Sequence, residues 1–90
     1  VMIVDAAVAV WTSDAGVPVR LVWNGTRYSV SDTPTRLEPE FDYAAMTHPP
    51  RVALGWRFQA TNAERHEVRV FDVRLVDARR DEWCLVRVYD

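Results

Sequence analysis

The chain is 90 residues long, 49% apolar and 27% charged, with a net charge of −2. That length holds a single domain, residues 1–90, which removes roughly 60–65% of its unfolded surface from water. The charge excludes a bulk basic field for capturing nucleic acid or an anionic membrane, and no apolar run approaches the length of a membrane span. A single cysteine, Cys84, rules out an intramolecular disulfide and makes no metal site. The start, with Asp5 and no basic region, is a poor signal peptide, so a cytoplasmic location is expected. All eleven cationic side chains are Arg. Their exclusive use fits a GC-rich genome; the rival reading is selection for planar, bidentate contacts.

In chain order, residues 6–12 (AAVAVWT) read as a first strand, because Val8, Val10 and Trp11 are β-formers. A short helix over 2–10 is the rival, given the alanines. SDAGVP at 13–18 is a loop punctuated by Gly and Pro. A β-hairpin follows at 19–31. Its Asn24-Gly25 pair is the strongest two-residue turn signal, since a type I′ turn needs positive φ at both central positions. The register is then Trp23 opposite Thr26, Leu21 opposite Tyr28 and Val19 opposite Val30 on one face. Val22 lies opposite Arg27 and Arg20 opposite Ser29 on the other. Trp23 and Tyr28 are expected to be buried.

Residues 32–52 hold four of the five prolines and form a long irregular connection. One short helix within 39–47 fits PEFDYAAM, with Pro39 at the first position and acids in the first turn. Three alternating segments follow, 53–61, 67–76 and 82–90, joined by NAERH and DARRD as an antiparallel meander. A four-residue last loop, Ala78 to Asp81, sets Leu75 against Cys84, Val73 against Val86 and Phe71 against Val88. It also pairs Asp72 with Arg87 as opposite charges. A loop from Asn62 to Arg65 sets Trp56 against Phe71. Both registers extend one apolar face, which should be the core: Leu54, Trp56, Phe58, Phe71, Val73, Leu75, Cys84, Val86 and Val88. The fold class is therefore all-β, a small antiparallel barrel or a strongly bent sheet of five to six strands.

The second face of the meander is too apolar for bare solvent and too charged for a plain core. It carries Arg57, Gln59, Val68, Val70, Asp72, Arg74, Val76, Trp83, Leu85, Arg87 and Tyr89. Three accounts compete. Residues 32–52 fold over it, with Phe41, Tyr43 and Met46 packing on Trp83 and Tyr89. Alternatively it meets a protein partner or a second copy, since Trp, Tyr and Arg are the usual hot-spot types. Or it stacks single-stranded nucleic acid, which the acidic balance opposes. The candidate binding residues are Arg57, Arg74, Trp83, Arg87 and Tyr89. His48 and His66 lack a paired nucleophile and read as loop residues. Glu38, Glu40 and Asp42 lack the spacing of a calcium loop. Cys84 reads as a small buried hydrophobe. No catalytic residue, metal site or cofactor signature is legible.

The segments PVRLVWNGTRYSV, GWRF and EWCLVRVYD resemble an uncharacterised actinobacterial family of short proteins. Its marks are a W-x-G-x-x-Y hairpin, an internal Trp-centred strand and a closing W-x-L-x-R-V-Y-D strand. The matching positions are Trp23, Gly25, Tyr28, Trp56, Trp83, Leu85, Arg87, Tyr89 and Asp90. Residues 1–17 and 32–52 lie outside the resemblance. Some members are encoded beside a replicative-type polymerase α-subunit and a Y-family polymerase. For a chain in that neighbourhood, the resemblance implies an accessory role in damage-tolerant DNA synthesis. From the residues themselves the leading expectation is a non-enzymatic module that binds a protein partner or itself. The second is a nucleic-acid-associated accessory using the Arg and aromatic face.

Overall fold

The computed structural model describes residues 1–38 and 54–89, so the expected helix in 39–47, and the packing of Phe41, Tyr43 and Met46, lie outside the described residues. The described chain is all β: β1 (Met2–Thr12), β2 (Pro18–Trp23), β3 (Thr26–Val30), β4 (Thr35–Arg36), β5 (Gly55–Asn62), β6 (Glu67–Asp77) and β7 (Glu82–Tyr89). Every ladder is antiparallel. β1, β2, β3, β5, β6 and β7 close into an up-and-down barrel, and β4 adds one strand along β5. No helix of the described residues is long and apolar enough to cross a membrane.

The hairpin forms as its sequence dictates. Asn24 and Gly25 both take positive φ, 53° and 75°, the signature of a type I′ turn. The ladder pairs Trp23 with Thr26, Val22 with Arg27, Leu21 with Tyr28 and Arg20 with Ser29. A methyl at Gly25 meets open space, so its cost is conformational alone. We expect Gly25→Ala to lose about 1 kcal/mol, read as a lowered midpoint in urea with an unchanged slope. No loss at all would show that the turn does not fix this hairpin.

β3 and β4 run in the same direction along one edge of β5 and amount to one broken strand. Between them the Asp32 carboxylate accepts the Gln59 N–H at 2.8 Å, where a strand would offer a backbone carbonyl. Ser31 N–H still donates to Gln59 O. The edge of β5 is thus satisfied across the break.

The core fills the barrel. Leu21, Phe58, Phe71, Val73, Leu85 and Val88 are fully buried, with Val10, Tyr28, Trp56, Ala60 and Trp83 around them. Phe71 sits at the centre, edge-on to Trp23 and Tyr28, with centroids 6.1 and 5.0 Å away. Tyr28 and Glu67 close one end of the interior, the hydroxyl donating to the carboxylate at 2.9 Å. Burial, and then that hydrogen bond to a carboxylate, raise the Tyr28 pKa above its ordinary value.

Two registers differ from the sequence expectation. The β5–β6 ladder sets Phe58, rather than Trp56, opposite Phe71. This shift is even, so every side chain keeps its face. The β6–β7 ladder begins as expected, with Val70 opposite Tyr89, Phe71 opposite Val88 and Asp72 opposite Arg87. A bulge then opens at Val86, and the pairs become Val73 with Leu85 and Leu75 with Trp83. One extra residue inverts the rest of the strand. Leu85 and Trp83 turn inward, and Cys84 and Val86 leave the core for half-buried outer positions. The exchange buries a Leu and a Trp in place of a Cys and a Val, which is a gain in apolar area.

Candidate functional site

The outer surface of the barrel has two contrasting sides. On β5, β6 and β7 the centre is Asp72, fully buried although it points away from the core. Arg57 grips it with a two-pronged contact, Nε to Oδ1 at 2.7 Å and Nη2 to Oδ2 at 3.0 Å. Tyr89 donates its hydroxyl to Oδ2 at 2.8 Å and accepts from Arg57 Nη2 at 2.7 Å. Arg87 Nη1 stands 3.3 Å from Oδ2. Arg57 also lies over the Tyr89 ring, 5.0 Å from its centroid. Burial by itself would raise the Asp72 pKa, but the bonds from Arg57 and Tyr89, with the charge of Arg57 and a bond from Arg87, hold it below the usual carboxylate value. Arg57 is correspondingly raised, mainly by its bond to Asp72.

Of the five residues expected on this face, Arg57, Arg87 and Tyr89 come together around Asp72. Arg74 lies on the same face but is buried, and its Nη2 donates to Glu38 O at 2.9 Å. It packs so closely on Gly55 that a Cβ there would lie 2.8 Å from Nη1. Arg74 thus fastens the segment after β4 onto the barrel. Trp83 is not on the face. The bulge at Val86 turns it into the core, 4% exposed, where its indole N–H reaches Asp81 Oδ1 at 2.9 Å. Asp72 itself is the residue that sequence reasoning undervalued. As the single acid among three arginines of that face, it carried the available signal.

On the same side, toward β3, a polar groove of about 640 Å³ runs between the β2–β3 and β5–β6 turns. Ser29, Ser31 and Thr61 line it, with Arg27, Glu64 and Arg65 exposed at its margins. His66 lies in the β5–β6 turn, exposed, at φ 54°. His48 lies outside the described residues.

The other side, formed by β1 with its neighbours β2 and β7, was not singled out by the sequence reading. Along β1 the even positions point inward, and the outward ones are Ile3, Asp5, Ala7, Ala9 and Trp11. Ile3 is 74% and Trp11 48% exposed. Ala7 and Ala9, with Val22, Val76 and Cys84 and the acids Asp81 and Glu82 beside them, form a shallow depression of about 720 Å³. Cys84 lies there with Sγ 3.3 Å from Asp5 Oδ1. Burial first, then the bond to Asp5, raise its thiol pKa, so it is a weak nucleophile at neutral pH.

The class defined by these observations is a closed six-stranded antiparallel barrel with one arginine-bearing side centred on Asp72 and a second side, on β1, where exposed apolar and charged residues mix. No family model matches the sequence, and neither the curated proteins nor the solved structures give a match.

Proposed function

We propose that this chain is a non-enzymatic interaction module that binds protein through the outer side of β1, β2 and β7. The carrying observation is Trp11, half exposed on β1 beside the shallow depression over Ala7, Ala9 and Val22. An exposed apolar side chain next to a shallow, partly apolar depression is the kind of surface that association uses, and Trp is among the residues most enriched at the centres of such contacts. The arginine side is a poorer protein-docking surface than the sequence suggested, because Trp83 has left it and Asp72 already engages Arg57 and Arg87.

The test is affinity capture from a lysate of the source cells, with the wild type, Trp11→Glu and Arg57→Ala as baits. The expected result is a protein retained by the wild type and by Arg57→Ala but lost with Trp11→Glu. Retention by all three baits, or by none, rejects the β1 side as the binding surface.

A second reading is an accessory of damage-tolerant DNA synthesis that contacts single-stranded nucleic acid. One observation favours it: Arg57 lies on Tyr89 with half its side chain exposed, on the side of the hydroxyl-lined groove that Arg27, Glu64 and Arg65 margin. Aromatic rings and guanidinium planes stack bases in this way. A fluorescence titration with oligothymidylate at low and high salt discriminates. A quench that weakens with salt and disappears in Tyr89→Ala promotes this reading; an unchanged signal dismisses it.

A further inference from the structure

We infer that the outer face of β3, β5 and β6, with Tyr89 of β7, holds one nucleotide unit of a single strand, its base over Val70 and its phosphate at Ser29 and Ser31; this rests on the nucleic-acid reading above and leaves the β1 side untouched. Two features of unlike chemistry stand side by side on that face. The first is a shallow depression of about 300 Å³ lined by Arg57, Val70 and Tyr89. Its floor is apolar, and its walls are a guanidinium and a phenol ring, with Arg57 Cζ 5.0 Å from the ring centroid. Asp72 holds both walls by hydrogen bonds of 2.7–3.0 Å. The stacking surfaces are therefore set in advance, and a flat ring that enters does not have to order them.

The second feature is the Ser29 end of the polar groove. Gln59 Nε2 donates to Ser31 Oγ at 3.1 Å, and Thr61 Oγ1 donates to the same atom at 3.0 Å. Ser31 thus accepts twice, and its own hydrogen is left for an acceptor in the groove. Arg20 stands opposite Ser29 on β2, and Arg27 lies two residues before Ser29 on the same face. Both are exposed. The acids nearby are placed otherwise. Asp32 accepts the Gln59 N–H at 2.8 Å at the edge of β5, and Glu64 lies in the β5–β6 turn next to Arg65. Hydroxyl donors and two guanidinium charges around one spot select an acceptor-only anion, which a phosphate is.

Spacing joins the two features. Val70 pairs with Gln59, and Gln59 lies beside Ser31 across the next strand gap. Two gaps of about 4.8 Å set Ser31 roughly 10 Å from Val70. A base linked through its sugar to a phosphate spans that distance when extended, whereas a lone ring or a lone phosphate fills one half only. The net charge of −2 supplies no long-range attraction, so affinity rests on these local contacts.

Fluorescence anisotropy of labelled oligothymidylate with the full chain, over a series of salt concentrations, tests this. The wild type should bind, more weakly as salt rises. Tyr89→Leu should weaken binding about five- to hundredfold and leave the salt slope unchanged, while Tyr89→Phe, which keeps the ring, should bind as the wild type does. Arg20→Ala combined with Arg27→Ala should weaken it about tenfold and lower the salt slope by about one. Circular dichroism checks that each variant is folded. Thymidine monophosphate should displace the strand only in large excess; displacement at equal concentration keeps the site but overturns the strand as its source. If the strand binds but Tyr89→Phe loses as much as Tyr89→Leu, or the arginine pair leaves the slope unchanged, this site is refuted and the nucleic-acid reading stands. If oligothymidylate does not bind the wild type at low salt, both fall.

Discussion

Replacing Phe71 by Ala should remove about 3–5 kcal/mol of stability, the range for an aromatic deleted from a packed interior. Three observations place it near the top of that range. The side chain has no exposed surface. Its ring meets those of Trp23, Tyr28 and Phe58 at centroid distances of 5.0–6.1 Å, and edge-on aromatic pairs add about 0.5–1.5 kcal/mol beyond area. The barrel is closed by hydrogen-bonded ladders on every side, so the wall has little freedom to collapse into the void. Single domains of this size are stable by only about 5–15 kcal/mol. Urea denaturation should therefore show a midpoint far below the wild type. Phe71→Leu, which keeps most of the volume, should lose about 1–2 kcal/mol. A loss below about 1 kcal/mol for the alanine variant would mean that Phe71 is not the centre of the core.

The neighbouring residue gives the second large effect, on the opposite face. Asp72→Asn should lose about 2–3 kcal/mol. A carboxylate accepts at both oxygens, and here it takes bonds from Arg57, Tyr89 and Arg87. Asparagine accepts at one end only and presents N–H groups at the other, so one of these donors faces another donor. It also removes the negative charge that the Arg57 and Arg87 guanidinium groups face at Asp72. Breaking a buried pair costs about 3–5 kcal/mol, reduced here because the Arg57 and Arg87 side chains are 48% and 33% exposed and water screens them. The pH dependence follows from the direction of the shift. Asp72 is held below its ordinary pKa in the fold. Its contribution is complete above the unfolded carboxylate value near 4, and it is lost as pH falls through the lower folded value. The difference in unfolding free energy between wild type and Asp72→Asn should be constant above about pH 5 and shrink as the solution is acidified. A difference that stays flat down to pH 2 would show that Asp72 is not a charged anchor.

The barrel was legible where its determinants are local. Asn24-Gly25 fixes a turn, and the turn fixes the register of the β2–β3 pair. The same logic placed the three later strands and the opposition of Asp72 and Arg87. The bulge at Val86 was not legible, because alternation carries no sign of one inserted residue. Only the competition between Trp83 with Leu85 and Cys84 with Val86 for the interior hinted at it. The candidate face changed accordingly, losing Trp83 while keeping Arg57, Arg87 and Tyr89. Arg57 meets Asp72 only through the two-residue shift of the β5–β6 ladder, which depends on how the loop folds rather than on any pattern in the strands. The outer row of β1 escaped notice for a different reason. Its alanines make the inward and outward sets look alike in sequence, and only closure of the barrel against β7 decides which is covered.

That closure has a consequence for how the molecule forms. β1 is the first strand, yet one of its two partners is the last, and the seam joins Met2 to Val88. The hairpin and the later meander draw on near neighbours and lose little chain freedom when they assemble. The seam encloses everything between Met2 and Val88, and its contacts reward the chain only after that loop has been closed. During synthesis, the inward valines of β1 therefore have half their final surroundings missing until residue 88 has left the ribosome. Maturation of the barrel is a late event, gated by the arrival of its closing strand.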